Sequence, residues 1–109
     1  MRYQVYFVSE SVLKKYNKLK NSTTEDKKMF KILTDIFEKL EEHPTSGIAI
    51  PKRLIPKSYL KKYKMKNCWK YDLPDGWRLI YYLKSDGKVQ LVMIVKWMPH
   101  DEYERDFNY

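Results

Sequence analysis

The side chains in this sequence best suited to acting on an anion are one arginine, one histidine and a run of lysines. Arg78 stands in WRLIYY (77 to 82). Strand alternation puts it on one face with Ile80 and Tyr82, and a guanidinium among such neighbours needs an anionic partner. The chain itself offers Asp72 or Asp75 for a structural ion pair, the alternative to an external anion. His100, one of two histidines, opens HDEYERDFNY (100 to 109), with Tyr103 at i, i+3 on the same face of a helical turn. Imidazole is the side chain that ordinarily titrates near neutrality, which suits it to proton transfer. The alternative is that His100 caps the terminal helix while Tyr103 and Phe107 pack on the core. The other histidine, His43, precedes Pro44 and reads as a helix C-cap.

The lysines matter through their location. Between Glu42 and Asp72 there is no acid, whereas Lys52, Arg53, Lys57, Lys61, Lys62, Lys64, Lys66 and Lys70 give that stretch +8, the net charge of the whole protein. Tyr59, Tyr63, Trp69 and Tyr71 are interleaved with these cations. That composition suits a surface where phosphates meet charge and bases stack on rings. A solvated lysine-rich loop would have it as well.

The elements that must position these residues follow from periodicity. RYQVYFVS (2 to 9) alternates as a strand does. SVLKKYNKLK then sets Val12, Leu13, Tyr16 and Leu19 on one helical stripe. A second helix carries Met29, Ile32, Leu33, Ile36, Phe37 and Leu40, opens on a Ser22–Glu25 capping box and closes at Pro44. TSGIAIPKRLIPKSYLKKYKMK holds Pro51 and Pro56 and reads as a loop with at most one helical turn. Three strands follow, NCWKYDL, GWRLIYYLK and KVQLVMIVKW, joined by PDG and SDG turns. Pro99 ends the last, and HDEYERDF forms a short terminal helix. A disposable tail would be poor in aromatics; this one has Trp97, Tyr103, Phe107 and Tyr109, so it is expected to dock on the fold.

At 109 residues the chain reads as a single domain, 1 to 109. Its lone cysteine, Cys68, excludes an intrachain disulfide, and no apolar run approaches the length of a membrane span. The N-terminus is too polar for a signal peptide, so a cytoplasmic protein with no membrane contact is expected.

The order of elements, together with WKYDLPDGWRLIYYL (69 to 83) and PHDEYERDFNY (99 to 109), resembles the RelE/ParE toxin superfamily of type II toxin-antitoxin modules over essentially the whole chain. The resemblance implies an α+β, RelE-like fold: an antiparallel sheet of about four strands, an N-terminal helical hairpin on one face and a short C-terminal helix, in the order β-α-α-β-β-β-α. It further implies a ribosome-associated endoribonuclease that cuts messenger RNA without a metal or other cofactor, restrained by a small acidic antitoxin. In that chemistry a ribose 2'-hydroxyl attacks the adjacent phosphate, which calls for a base, a stabiliser of negative charge and an acid.

Position by position, Arg78 corresponds to the strand arginine that relatives aim at the scissile phosphate, and His100 and Tyr103 to C-terminal residues near the reacting bond. Relatives also use a loop lysine or glutamate. Here Lys64, Lys66 and Lys70 are the candidates, with Lys66 taken as the catalytic one and Lys61, Lys62, Lys64, Lys70 and Lys96 as RNA contacts. The best-studied RelE enzymes carry a second arginine on the last strand. Lys96 is its nearest substitute, and a lysine lacks the bidentate fork. Two rival functions share the resemblance: a ParE-like inhibitor of DNA gyrase acting by protein contact, and a non-catalytic RNA-binding domain.

Overall fold

In a computed structural model, which describes residues 2–107, nine elements follow one another. They are β1 (Gln4–Phe7), α1 (Glu10–Leu19), α2 (Thr24–Glu42), β2 (Ile48–Ala49), α3 (Lys57–Tyr63), β3 (Trp69–Asp72), β4 (Arg78–Asp86), β5 (Val89–Met98) and α4 (His100–Phe107). Short 3-10 turns stand at Lys52–Leu54 and Pro74–Gly76. The α+β class is present and the expected elements keep their sequence, but β2 and α3 are inserted between α2 and β3, and the sheet differs in two ways. It has five strands, ordered β1-β5-β4-β3-β2, because Ile48 and Ala49 add a short rung to β3. It is also mixed, since β1 runs parallel to β5, a pairing that the long excursion through both helices permits.

Both faces of the sheet are covered, which is why Leu79, Ile80, Tyr81 and Tyr82 are all buried rather than alternating with polar residues. On one face Leu33, Phe37 and Leu40 of α2 pack on Leu79, Tyr81, Val92 and Ile94, with Val12, Tyr16 and Leu19 of α1 beside them. The Ser9 side chain caps α1, accepting from Val12 N at 3.3 Å. Thr23 caps α2 through Asp26 N at 3.1 Å, one residue beyond the expected Ser22–Glu25 pair. His43 caps the C-terminus of α2, its backbone N–H donating to Lys39 O at 2.8 Å.

The opposite face holds Ile80, Tyr82, Val95 and Met98 under Tyr59 of α3 and Tyr103 and Phe107 of α4. Here the structure corrects the sequence reading: the segment that reads as a loop with at most one turn contains a seven-residue helix. The prolines start structure instead of breaking it. Pro51 precedes the 3-10 turn with φ −53° and Pro56 precedes α3 with φ −55°, values proline fixes and a helix start accepts. Tyr59, Leu60 and Tyr63 then lie on the stripe that faces the core. The terminal segment docks through Tyr103 and Phe107, as its aromatic content implied; Tyr109 lies outside the described residues.

Two local features aim the site. The β4–β5 register slips between Ile80 and Tyr81, so Ile80 pairs with Lys96 while Tyr81 pairs with Ile94. That extra residue turns Lys96 onto the face of Ile80 and Arg78. At Gly47 a Cβ would fall 2.5 Å from the Tyr81 hydroxyl and 2.6 Å from Lys70 O, so only glycine lets this loop close on β3. Tyr81 secures it, donating to Pro44 O at 2.8 Å and accepting from Gly47 N at 3.1 Å.

Candidate phosphate-binding site

Strand pairing assembles the site. Asp72 of β3 stands opposite Arg78 of β4, and Lys70, two residues earlier on the same face, stands opposite Ile80. The three charged groups meet: Asp72 Oδ1 accepts from Lys70 Nζ at 3.0 Å and lies 3.0 Å from Arg78 Nε. The Arg78 contact is an attraction of charges without hydrogen-bond alignment, because Nε is buried with no hydrogen-bond partner. Nη1 of Arg78 turns back to the Gly76 carbonyl at 2.8 Å and that of Trp77 at 3.2 Å.

Helix α4 supplies the floor of the site. Pro99 ends β5 and the chain reverses, the Tyr103 N–H donating to Pro99 O at 3.0 Å. The Tyr103 ring, 2 % exposed, lies under both cations, with Arg78 Cζ 5.6 Å and Lys70 Nζ 5.8 Å from its centroid. Its negative face attracts both and holds them in place. His100 is exposed at the first position of α4, its Cβ against the Gly76 turn that supports Arg78. Its Nε2 is 2.7 Å from Glu104 Oε1, one helical turn on. Glu104 therefore orients the imidazole; it is absent from the sequence expectations although the i, i+4 spacing of HDEYE carries the signal.

The structure brings Arg78, Lys70, His100 and Tyr103 to one end of the sheet and places the other lysines elsewhere. Lys96 shares the face, but two acids of α4 hold its ammonium, Glu102 Oε2 at 2.7 Å and Asp106 Oδ2 at 3.2 Å. Burial alone would lower its pKa; the hydrogen bonds it donates to Glu102 and Asp106 outweigh that and raise it. Asp106 also accepts from the Tyr59 hydroxyl. Burial pushes against its charge, yet the Tyr59 and Lys96 hydrogen bonds hold its carboxyl below the usual value.

Lys61 and Lys62 are exposed in the last turn of α3, where Lys62 Nζ lies 5.4 Å from the Tyr63 ring centroid. With Lys15 of α1 and Lys96, Lys62 lines a cleft of about 570 Å³ between α1 and α4. Lys64 and Lys66 line a different cleft of about 530 Å³ with Lys84. The Asn67 side chain pins that cleft's wall, donating to Leu83 O and accepting from Leu83 N, both at 2.8 Å. Leu83 is five strand residues beyond Arg78, roughly 17 Å at 3.3 Å per residue, so Lys66 stands far from the arginine. Cys68 is buried and its thiol is pushed up to about 12, which removes it as a nucleophile. Among the described residues no three His, Cys, Asp or Glu side chains group as metal ligands, and no helix is long and apolar enough to cross a membrane.

A ring-backed pair of cations, set on an antiparallel meander beneath a helical hairpin, belongs to a fold shared with a known toxin. The chain superimposes on the YoeB/ParE toxin from Agrobacterium tumefaciens with a TM-score of 0.60 at 16 % identity, covering 89 % of this chain and 98 % of that one. Neither a protein-family model nor a curated protein sequence matches the chain. The α+β fold expected from the resemblance is thus shared with that solved structure, with the fifth strand, the parallel β1–β5 pairing and α3 as departures from the expectation.

Proposed function

We propose that this protein is the toxin of a type II toxin-antitoxin pair and acts as a ribosome-associated, metal-independent endoribonuclease on messenger RNA. The observation that carries the reading is the convergence of Arg78, Lys70, His100 and the Tyr103 ring at one end of the sheet. Arg78 and Lys70 supply charge to a scissile phosphate, concentrated by the low-dielectric floor of Tyr103. His100, oriented by Glu104, handles a proton of the transfer. Tyr103 acts through its buried ring. Lys66 serves with Lys64 and Lys84 as a contact to the RNA backbone, and Lys61 and Lys62 do the same from α3.

Primer extension on messenger RNA after induced expression tests this. Discrete new 5' ends are expected with the native chain and not with Arg78→Ala. Absence of such ends from a folded, growth-arresting protein would reject the nuclease. One observation favours a second reading: Arg78 is closed on Asp72, an arrangement that a gyrase inhibitor working by protein contact tolerates. Growth arrest with relaxed plasmid DNA and intact messenger would select it.

A further inference from the structure

The two cations of the candidate site do not wait empty. They share a carboxylate of the same chain, and the sharing is lopsided. One oxygen, Oδ1 of Asp72, serves Lys70 Nζ at 3.0 Å and Arg78 Nε at 3.0 Å, and only the lysine makes an aligned hydrogen bond. The bidentate arrangement that makes arginine–carboxylate pairs strong is absent. Exposure is lopsided too: the Lys70 and Arg78 side chains are each 18 % exposed and Asp72 is 50 %. The cations are fixed from beneath by Tyr103, and Arg78 is fixed at its rear by the carbonyls of Gly76 and Trp77. The carboxylate is the member of the trio that is free to rotate into solvent.

We infer that Asp72 is a built-in occupant of the phosphate site, a carboxylate standing where a phosphodiester binds and displaced by it. A phosphodiester spreads its one negative charge over two non-bridging oxygens, so it can offer one to Lys70 Nζ and the other to Arg78 Nε, whereas Asp72 as it stands offers Oδ1 to both. Two adjacent cations with little access to water also need an anion when no RNA is bound, and Asp72 provides it. The exchange gives the resting protein stability and lowers its affinity for RNA by the same contact. This rests on reading Arg78 as the phosphate anchor.

The test is binding of a short single-stranded RNA, 2'-O-methylated throughout so that it cannot be cut, followed by fluorescence anisotropy at fixed salt. Asp72→Asn should bind about tenfold more tightly than the native chain and melt at a lower temperature when free. Asp86→Asn, which removes the same charge at the exposed β4–β5 turn, should change affinity far less. Adding Arg78→Ala to Asp72→Asn should abolish the gain. Asp72→Ser is read in the same way if the asparagine variant does not fold. No gain, a loss, or a gain matched by Asp86→Asn overturns the inference, since Asp72 would then only position Arg78 or act through net charge. If Arg78→Ala alone loses RNA binding while Asp72→Asn gains nothing, the inference falls and the nuclease reading stands. If Arg78→Ala binds and cuts as the native chain does, both fall.

Discussion

At the scale of residues, Arg78 was legible because strand alternation fixes which face a side chain occupies, and it does share that face with Ile80 and Tyr82. Its ion pair with Asp72 was foreseeable only as an alternative to an external anion, since sequence gives the pairing of strands less surely than their existence. For Lys66 the sequence misleads about distance: its neighbours along the chain are basic, but its neighbours in space are Lys84 and the far end of β4. If Arg78 anchors the scissile phosphate and stabilises the charge it gains in the transition state, Arg78→Ala should lower cleavage on the order of a hundredfold, with ribosome association little changed. If His100 handles a proton of the transfer, His100→Gln should lower turnover. Glu104→Gln should lower turnover less than His100→Gln does, because the carboxylate acts only through His100. Single-turnover cleavage separates the two, and a silent His100→Gln would leave the histidine as a helix-end residue.

At the scale of elements, the helical hairpin, the meander and the terminal helix were visible in hydrophobic spacing, whereas α3 and β2 were not. Two prolines mask the first, and two residues carry no periodicity for the second. The bulge that turns Lys96 toward α4 was equally silent, because one extra residue leaves the composition of a strand unchanged. Its consequence is a clamp: Lys96 on β5, Glu102 and Asp106 on α4, and Tyr59 on α3 tie three elements that share one core. Asp106→Asn leaves Lys96 with one acid and weakens the Tyr59 bond, and should cost about 2 kcal/mol, the usual worth of hydrogen bonds to a charged group. The pH dependence has a definite sign. The carboxyl of Asp106 is held below its ordinary 3.8, so its contribution is complete above that value and is lost as pH falls through the lower folded-state value. Lys96 is raised, so its share is complete below its ordinary 10.5 and fades only at more alkaline pH. Melting temperatures of the native chain and Asp106→Asn should therefore differ by a constant amount from about pH 5 to 9 and converge in acid. Curves that stay parallel to the acid end of the scan would remove Asp106 from the clamp.

At the scale of the whole molecule, charge is distributed over more of the surface than the sequence run suggested. The basic stretch divides between two clefts, Lys62 facing α1 and Lys64 with Lys66 facing β4. Helix α1, which reads in the sequence only as a packing element, adds Lys14, Lys15 and Lys18 against the single acid Glu10. If both clefts track RNA, replacing Lys61 and Lys62 by Gln, or Lys64 and Lys66, should each flatten the plot of log affinity against log salt, by roughly 0.7 for every phosphate of single-stranded RNA that is no longer neutralised. An unchanged slope for one pair would assign its lysines to solvent.

The same surface argues for a restraining partner. If the protein is a ribosome-directed nuclease it must be held in check in the cell that makes it, and a surface carrying this many lysines without acids between Glu42 and Asp72 is best neutralised by an acidic chain. Tyr6, Leu13, Ile48, Leu54 and Val89 are exposed apolar residues that such a chain would bury if it wrapped the domain as an amphipathic helix or an added strand. We therefore expect a small acidic antitoxin, in part disordered when free, whose binding tightens at low salt and protects the α3–β3 connection from proteolysis. Its acids would compete for Arg78 and Lys70 with Asp72, so Asp72→Asn should bind the partner more tightly in parallel with RNA. Co-expression with the adjacent reading frame decides the matter: co-purification, relief of growth arrest and a salt-sensitive affinity are expected together, and a neighbour that provides none of them withdraws the toxin-antitoxin reading.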